Sequence, residues 1–234
     1  MKSSNLDLLE LFKLPVIVGH RGYPNKELEN TLPSIEAAIE HGADIVEVDI
    51  QSTLDGVLVI SHDESLERTF GVSVNIRESV WKDIKKIKKG KYTVPTLSDV
   101  LKTVSGRVGL FVEIKHPEDT EKVVKTIREA KAEKWTAVIS FHEEVLKDLN
   151  LYKGLVYSKP SGKILEAKEI GCQLVLPKYY LATEKANAFA HRMGLYVVAW
   201  TVNNVDTAVK LWKSGVNGIA TDDVELIKSS LIWE

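Results

Sequence analysis

A single cysteine, Cys172, stands in a chain of 234 residues. It has no partner for an intramolecular disulfide, which excludes a disulfide-framed scaffold and favours a cytoplasmic location. No apolar run is long enough to span a bilayer, so stable membrane insertion is not expected. The segment Met1 to Leu14 is interrupted by Asp7, Glu10 and Lys13 and lacks the continuous apolar core of a signal peptide. Neither sign of charge dominates: 31 basic residues face 33 acidic ones, a formal net charge of -2, and nothing global attracts nucleic acid or an anionic surface. Any anion site must be a local focus of charge. No Pro-, Gly- or Ser-rich linker and no low-complexity stretch divides the sequence, so one domain over 1–234 is expected.

What the chain does have is alternation. Its 44% hydrophobic content suits a full core. Short β-rich runs at Val16–Gly19, Ile45–Ile50, Leu110–Ile114, Ala137–Ser140, Leu155–Tyr157, Leu174–Leu176, Tyr196–Trp200 and Gly218–Thr221 alternate with helical patterns. Such alternation predicts parallel strands joined by right-handed crossovers, and eight units predict a closed (β/α)8 barrel; a doubly wound open sheet is the alternative. Leu6 to Phe12 reads as a short amphipathic helix suited to plugging the barrel floor. Thr31 followed by Pro33 marks a helix start, and His41-Gly42 a helix end at which the histidine has a structural job.

One segment breaks the alternation. Ile45–Gln51 is followed, without room for a helix, by Asp55-Gly56 and the apolar run Val57-Leu58-Val59-Ile60, which predicts a β-hairpin after the second strand. With Asp55 and Gly56 as the two turn residues, Leu54 faces Val57 and Asp49 faces His62. Glu64 to Pro95 is irregular and reads as a small insertion packed over one side of the barrel mouth. Its lysines, Lys82, Lys85, Lys86, Lys88, Lys89 and Lys91, read as a solvated face.

The chemistry-bearing residues fall at strand ends. Glu47 and Asp49 are two apart on a strand and point the same way, and Glu113 follows Leu110-Phe111-Val112 in a similar place. Carboxylates beside a barrel core need neutralising. Three acids with no thiolate nearby favour a hard divalent cation, Mg²⁺ or Ca²⁺, and the competing arrangement is salt bridges to Arg21 and Lys115. His20 closes the first strand and His62 the hairpin; imidazole can give or take a proton near neutrality. Arg21 and Lys115 suit a phosphate, one as a fork and one as a point charge. His116 points to the opposite face of its strand from Lys115. Trp200, at the end of the seventh strand, can pack on the carbon side of a polyol or serve as core.

The ordered set His20-Arg21-Gly22, Glu29-Asn30-Thr31, Glu47-x-Asp49, Asp55-Gly56, His62-Asp63, Arg68-Thr69, Glu113-x-Lys115 and Trp200-Thr201-Val202-Asn203 resembles the glycerophosphodiester phosphodiesterase family over about Val16 to Asp222. The resemblance implies a (β/α)8 barrel and metal-dependent hydrolysis of glycerophosphodiesters to sn-glycerol 3-phosphate and an alcohol. It implies a divalent metal on Glu47, Asp49 and Glu113, His20 and His62 as the acid/base pair, and phosphate contacts from Arg21 and Lys115. The chain departs from the family in having Leu28 before Glu29, where the family usually has Pro, and a short segment after His62, which leaves alcohol-group specificity open. Competing functions are a related barrel phospholipase or phosphodiesterase and a non-catalytic phosphate-binding barrel. A bilayer substrate calls for exposed aromatics at the rim, and the sequence offers no obvious cluster of them. The expected partner is a small-molecule diester.

Overall fold

The computed structural model describes residues 6–159 and 162–231. Its strands are β1 Val16–Gly19, β2 Ile45–Ser52, β3 Leu58–Ile60, β4 Lys88–Lys89, β5 Tyr92–Thr93, β6 Gly109–Ile114, β7 Thr136–Ser140, β8 Tyr152–Tyr157, β9 Leu174–Pro177, β10 Tyr196–Ala199 and β11 Gly218–Thr221. Parallel pairing runs β1-β2-β6-β7-β8-β9-β10-β11, and β11 pairs with β1 again. The sheet is therefore a closed eight-stranded barrel, not an open doubly wound sheet, and all eight anticipated strands take part in it. The helices between them include α2 Leu32–Glu40, α5 Leu97–Val104, α6 Thr120–Glu129, α9 Glu184–Arg192 and α10 Val205–Lys213, numbered after α1 Leu8–Leu11, α3 Glu67–Phe70, α4 Trp81–Ile84, α7 Glu143–Leu146 and α8 Lys163–Glu169; α11 is Val224–Ser229.

Two apolar clusters share these strands by parity. Val16, Val18, Ile45, Phe111, Ala137, Ile139, Val156, Leu174, Leu176, Val198 and Ala220 fill the barrel. Their neighbours one residue along, such as Ile17, Val46, Val48, Leu110, Val112 and Val138, pack outward against the helices. A period of two on each strand separates the faces. Helix starts are fixed by side-chain caps: Thr31 on α2, Thr96 with Asp99 as a capping box on α5, Thr183 on α9 and Asn204 on α10. His41 ends α2 as anticipated, with Nδ1 2.7 Å from the Ala37 carbonyl oxygen.

The floor of the barrel is closed by α1. Leu8 and Phe12 join the interior cluster, and Phe12 stacks on Tyr196 at 4.9 Å. Gly109 makes this approach possible, because a Cβ there would run into the side chains of Leu8, Ile45 and Leu11. The expected plug is thus present over Leu8–Leu11, the core of the anticipated Leu6 to Phe12.

The hairpin is present, but its register differs by one from the expected pairing. Ile50 faces Ile60, Gln51 faces Val59 and Ser52 faces Leu58, so Asp49 lies opposite Ser61, whose N–H donates to the Asp49 carbonyl at 3.0 Å. Three residues, Leu54, Asp55 and Gly56, span the turn in place of two. Thr53 decides this. Its N–H donates to the Val57 carbonyl at 2.9 Å, and its hydroxyl accepts from Val57 N at 2.8 Å while donating to Asp55. Gly56 takes φ +77°, the left-handed position of a three-residue hairpin loop. Past Ser61 the chain bends, its hydroxyl donating to the Asp63 carbonyl, and this bend places His62.

The excursion from 64 to 95 carries α3, α4 and the β4–β5 hairpin around a small core of Leu66, Phe70, Ile76, Ile84 and Val94. Ile60 N–H donates to the Pro95 carbonyl, so the excursion leaves from and returns to the mouth end of the hairpin. Its lysines 82, 85, 86, 88, 89 and 91 are all exposed.

Candidate active site

The interior parity of the strands continues past their apolar residues into the mouth. On β2, Ile45 is followed in phase by Glu47 and Asp49. On β6, Phe111 is followed by Glu113 and then Lys115. The register sets Glu47 beside Phe111 and Asp49 beside Glu113. Glu47 therefore stands level with Phe111, and Asp49 and Glu113 form the next layer towards the mouth. Oxygens of Glu47, Asp49 and Glu113 all lie within 4.8 Å of one another.

The three carboxylates have unequal surroundings. Asp49 is 1% exposed and is held by Lys115 Nζ at 2.8 Å and by the Asn30 amide, which donates at 2.8 Å. Arg21 Nε lies 3.4 Å from Asp49 Oδ2, the oxygen that accepts from Asn30, without forming a hydrogen bond. Burial would raise the Asp49 carboxyl, but Lys115, Arg21 and His62 outweigh it and hold the group below the usual carboxylate range. Glu113 accepts from Lys115 at 2.9 Å. Among the described residues Glu47 accepts only the backbone N–H of Arg21, at 2.9 Å on Oε2, and its buried Oε1 has no partner there. Burial, with Asp49 adding to it, raises the Glu47 and Glu113 carboxyls. An orphaned buried oxygen in a convergent three-acid cluster is the donor set a hard cation fits. The salt-bridge arrangement satisfies Asp49 and Glu113 but leaves Glu47 without a cation.

Both histidines are held at Nδ1 by a carboxylate. His20 Nδ1 lies 2.7 Å from Asp222 Oδ1, beyond the end of β11. Asn203 donates to Asp222 Oδ2 at 2.7 Å and accepts from the Asp222 N–H at 2.8 Å. Burial disfavours charge on His20, but Asp222 and Glu47 outweigh it and raise its proton affinity. His62 Nδ1 lies 2.7 Å from Asp63 Oδ1. Arg68 Nε donates to Asp63 Oδ2 at 2.6 Å. With Nδ1 occupied, each ring has Nε2 left for substrate.

Arg21 takes a left-handed backbone, φ +58°, unusual for a residue with a side chain. The turn lets its N–H meet Glu47 while Nη1 donates to Glu29 at 3.0 Å. Glu29, Asn30 and Thr31 divide the work of one short run: Glu29 holds arginines, Asn30 holds Asp49, and Thr31 caps α2. His116 faces away from the cluster, 3.3 Å from Glu64, as its strand parity requires.

Trp200 follows β10 in the same interior phase. Its indole N–H donates to the Leu176 carbonyl at 2.7 Å, Lys178 Nζ sits 4.9 Å above its ring, and Phe141 meets it edge-on at 5.6 Å. Phe141, Tyr179 and Tyr180 are 42%, 39% and 57% exposed. The rim thus does carry exposed aromatics, which corrects the expectation from sequence. They come from two loops, Phe141 after β7 and the Tyr179-Tyr180 pair after β9, 38 positions apart in sequence. Asp222, Asn203 and Lys178 were also missed as site residues. Parity was the available signal, since Gly218, Ala220 and Asp222, like Leu174, Leu176 and Lys178, share one strand face.

A closed barrel with acids, histidines and cations gathered at the carboxyl ends of its strands has the architecture of a barrel enzyme, whose reaction the fold alone does not fix. A profile of the glycerophosphoryl diester phosphodiesterase family matches residues 20–226. The chain belongs to that family, and with it to the phosphoric diester hydrolases. A glycerophosphodiester phosphodiesterase from Caldanaerobacter subterraneus is 29% identical over 91% of this chain and 96% of its own length. Among solved structures, a phosphodiesterase from Oleispira antarctica in complex with the product sn-glycerol-3-phosphate has a TM-score of 0.85 at 25% identity, over 94% of this chain and 97% of that one. A glycerophosphodiester phosphodiesterase from Thermotoga maritima has a TM-score of 0.82 at 28% identity, covering 92% and 97%.

Proposed function

We propose that the chain hydrolyses glycerophosphodiesters to sn-glycerol 3-phosphate and an alcohol, with a divalent cation on Glu47, Asp49 and Glu113, and His20 and His62 as the acid/base pair. The observation that carries this is the convergence of the acid cluster, with its orphaned Glu47 oxygen, on two carboxylate-held histidines flanked by Arg21 and Lys115. Bound there, Mg²⁺ or Ca²⁺ would neutralise the acids and draw charge from the phosphate's non-bridging oxygens. Arg21 and Lys115 bind the same phosphate, the first as a fork and the second as a point charge. Trp200 offers its face to the carbon side of the substrate. The product named for the Oleispira antarctica structure supports the glycerol 3-phosphate half of the reading.

The histidines exchange one proton each way. The carboxylate on His20 Nδ1, Asp222, is paired with neutral Asn203, whereas Arg68 offsets the charge of Asp63 on His62, and this supports His20 starting as the acid. His62 then starts as base and takes the proton of the glycerol 2-hydroxyl. That oxygen bonds to phosphorus, and the bond to the leaving alcohol breaks as His20 protonates it. Water opens the resulting cyclic phosphate with the roles reversed. Attack by the substrate's own hydroxyl gains from proximity, and no protein nucleophile is needed. Assay of glycerophosphocholine with and without EDTA tests the cation: full turnover in exhaustive chelator would refute it. A 2-deoxyglycerol analogue tests the route, and comparable hydrolysis of the two substrates would rule out the cyclic intermediate.

The exposed Phe141, Tyr179 and Tyr180 favour one second reading, a barrel phosphodiesterase that also takes diesters carrying an acyl chain. Turnover of lysophosphatidylcholine equal to that of glycerophosphocholine would support it, and none would exclude it.

A further inference from the structure

Arg68 lies on α3, in the excursion and outside the barrel, with its side chain 50% exposed. A surface arginine with one carboxylate partner contributes little. This one has two, from different segments, and spends three donors on them. Nη1 and Nη2 donate to the two oxygens of Glu29 at 2.8 and 2.7 Å, and Nε donates to Asp63 Oδ2 at 2.6 Å. Beyond Glu29 stands Arg21, and beyond Asp63 stands His62. The five groups form an unbroken chain: Arg21, Glu29, Arg68, Asp63, His62.

We propose that Arg68 is a positioning residue for the reaction, holding Arg21 and His62 in place through Glu29 and Asp63. The inference rests on the roles given above to those two residues. On the Arg21 side it acts by competition. Glu29 Oε1 accepts from both arginines, and the Arg68 fork occupies both oxygens, so Arg21 keeps a single 3.0 Å bond to it. Without Arg68, the freed carboxylate can take Arg21 as a two-pronged partner and withdraw it from the phosphate. On the His62 side it acts by anchorage. Asp63 is 34% exposed, and a carboxylate with only the ring to hold it orients that ring poorly. The excursion therefore contributes to the reaction through one side chain.

The two arms give separable signatures in steady-state kinetics on glycerophosphocholine. Arg68→Ala should lower kcat/KM by about 10- to 100-fold, with KM raised through Arg21 and kcat lowered through His62. Arg68→Lys keeps the charge but loses the fork and should recover less than half of that loss on a logarithmic scale. Adding Glu29→Gln to Arg68→Ala removes the competing charge, and should return KM to within about threefold of the parent while kcat stays low. A merely structural role cannot give this selective rescue. Thermal unfolding of each variant, with kcat referred to folded protein, separates lost molecules from slower ones. The proposal is overturned if Arg68→Ala keeps parental kcat/KM, if its loss only tracks the unfolded fraction, or if the double variant leaves KM as high as the single one. Should Arg21→Ala and His62→Ala themselves remain active, it is the underlying catalytic reading that fails.

Discussion

The two histidines are held by similar carboxylates on very different foundations. His20 and Asp222 both extend paired barrel strands, and the Asp222 partner is the neutral Asn203. His62 and Asp63 lie on a bend after a three-residue strand, and the Asp63 partner is the charged Arg68 from an irregular segment. One arm is built by backbone hydrogen bonding and the other by side-chain charge. On the sheet the carboxylate is set in place by strand pairing and a neutral amide, whereas on the bend it is set by a charged side chain from another segment.

The largest test asks whether the two arms are equally necessary. His20→Ala and His62→Ala should each reduce turnover by about 10² to 10⁴, because the proposed route uses each ring in both steps. A variant within tenfold of the parent would reduce its ring to a helper. Glu47→Gln or Asp49→Asn should lower metal affinity, read by calorimetric titration, together with activity.

Next in size is the cation between the arms. Arg21→Ala removes a charged partner worth about 2–4 kcal/mol, a loss of roughly 30- to 1000-fold in kcat/KM. Arg21→Lys should recover little of it, and parental activity in that variant would refute the fork.

Asp222→Asn and Asp63→Asn compare the foundations directly. Asp222 raises the proton affinity of His20, so its loss should move the alkaline limb of the kcat/KM profile to lower pH and cost on the order of tenfold to a hundredfold. Asp63→Asn should cost less, on the order of threefold to tenfold, because Arg68 already offsets the Asp63 charge. The ranking reversed would mean that the bend, not the barrel, sets the proton chemistry. Stability follows the same pair. His20 has a folded value above its ordinary 6.5, so its contribution is full below 6.5 and is lost as pH rises through the raised value. Asp222 is depressed below 3.8, so its contribution is present above 3.8 and lost as pH falls through the lowered value. Urea unfolding of parent and Asp222→Asn across pH 3–9 should show the difference narrowing at both ends.

The smallest effect belongs to the turn. Gly56→Val puts a β-branched residue at φ +77° and should destabilise by about 1–3 kcal/mol in urea unfolding. It should lower activity through the His62 arm and leave the His20 arm intact.

The barrel was legible because eight apolar runs recur with helices between them, and the acids because parity on β2 and β6 carries across from core to mouth. The hairpin register was not. Asp55-Gly56 is compatible with a two-residue or a three-residue loop, and the choice lies in how the Thr53 hydroxyl bonds Val57. Asp222 was within reach, as the next in-phase residue after Ala220. Arg68 was not, because no periodicity in an irregular segment says which carboxylates a side chain will meet. Nor was the aromatic rim, assembled from two loops about forty residues apart.

The order of these residues along the chain also separates two kinds of group. His20, Arg21, Glu47, Asp49, His62, Glu113 and Lys115 come from the first half of the polypeptide, while Phe141, Lys178, Tyr179, Tyr180 and Trp200 come from the second. The groups proposed to break the bond and the rim groups are thus encoded on separate stretches of the chain. Asp222 reaches back across the seam to His20, 202 positions away, and Asn203 holds it there. Recombination within the second half that spares this pair can exchange the rim while leaving the reaction centre whole.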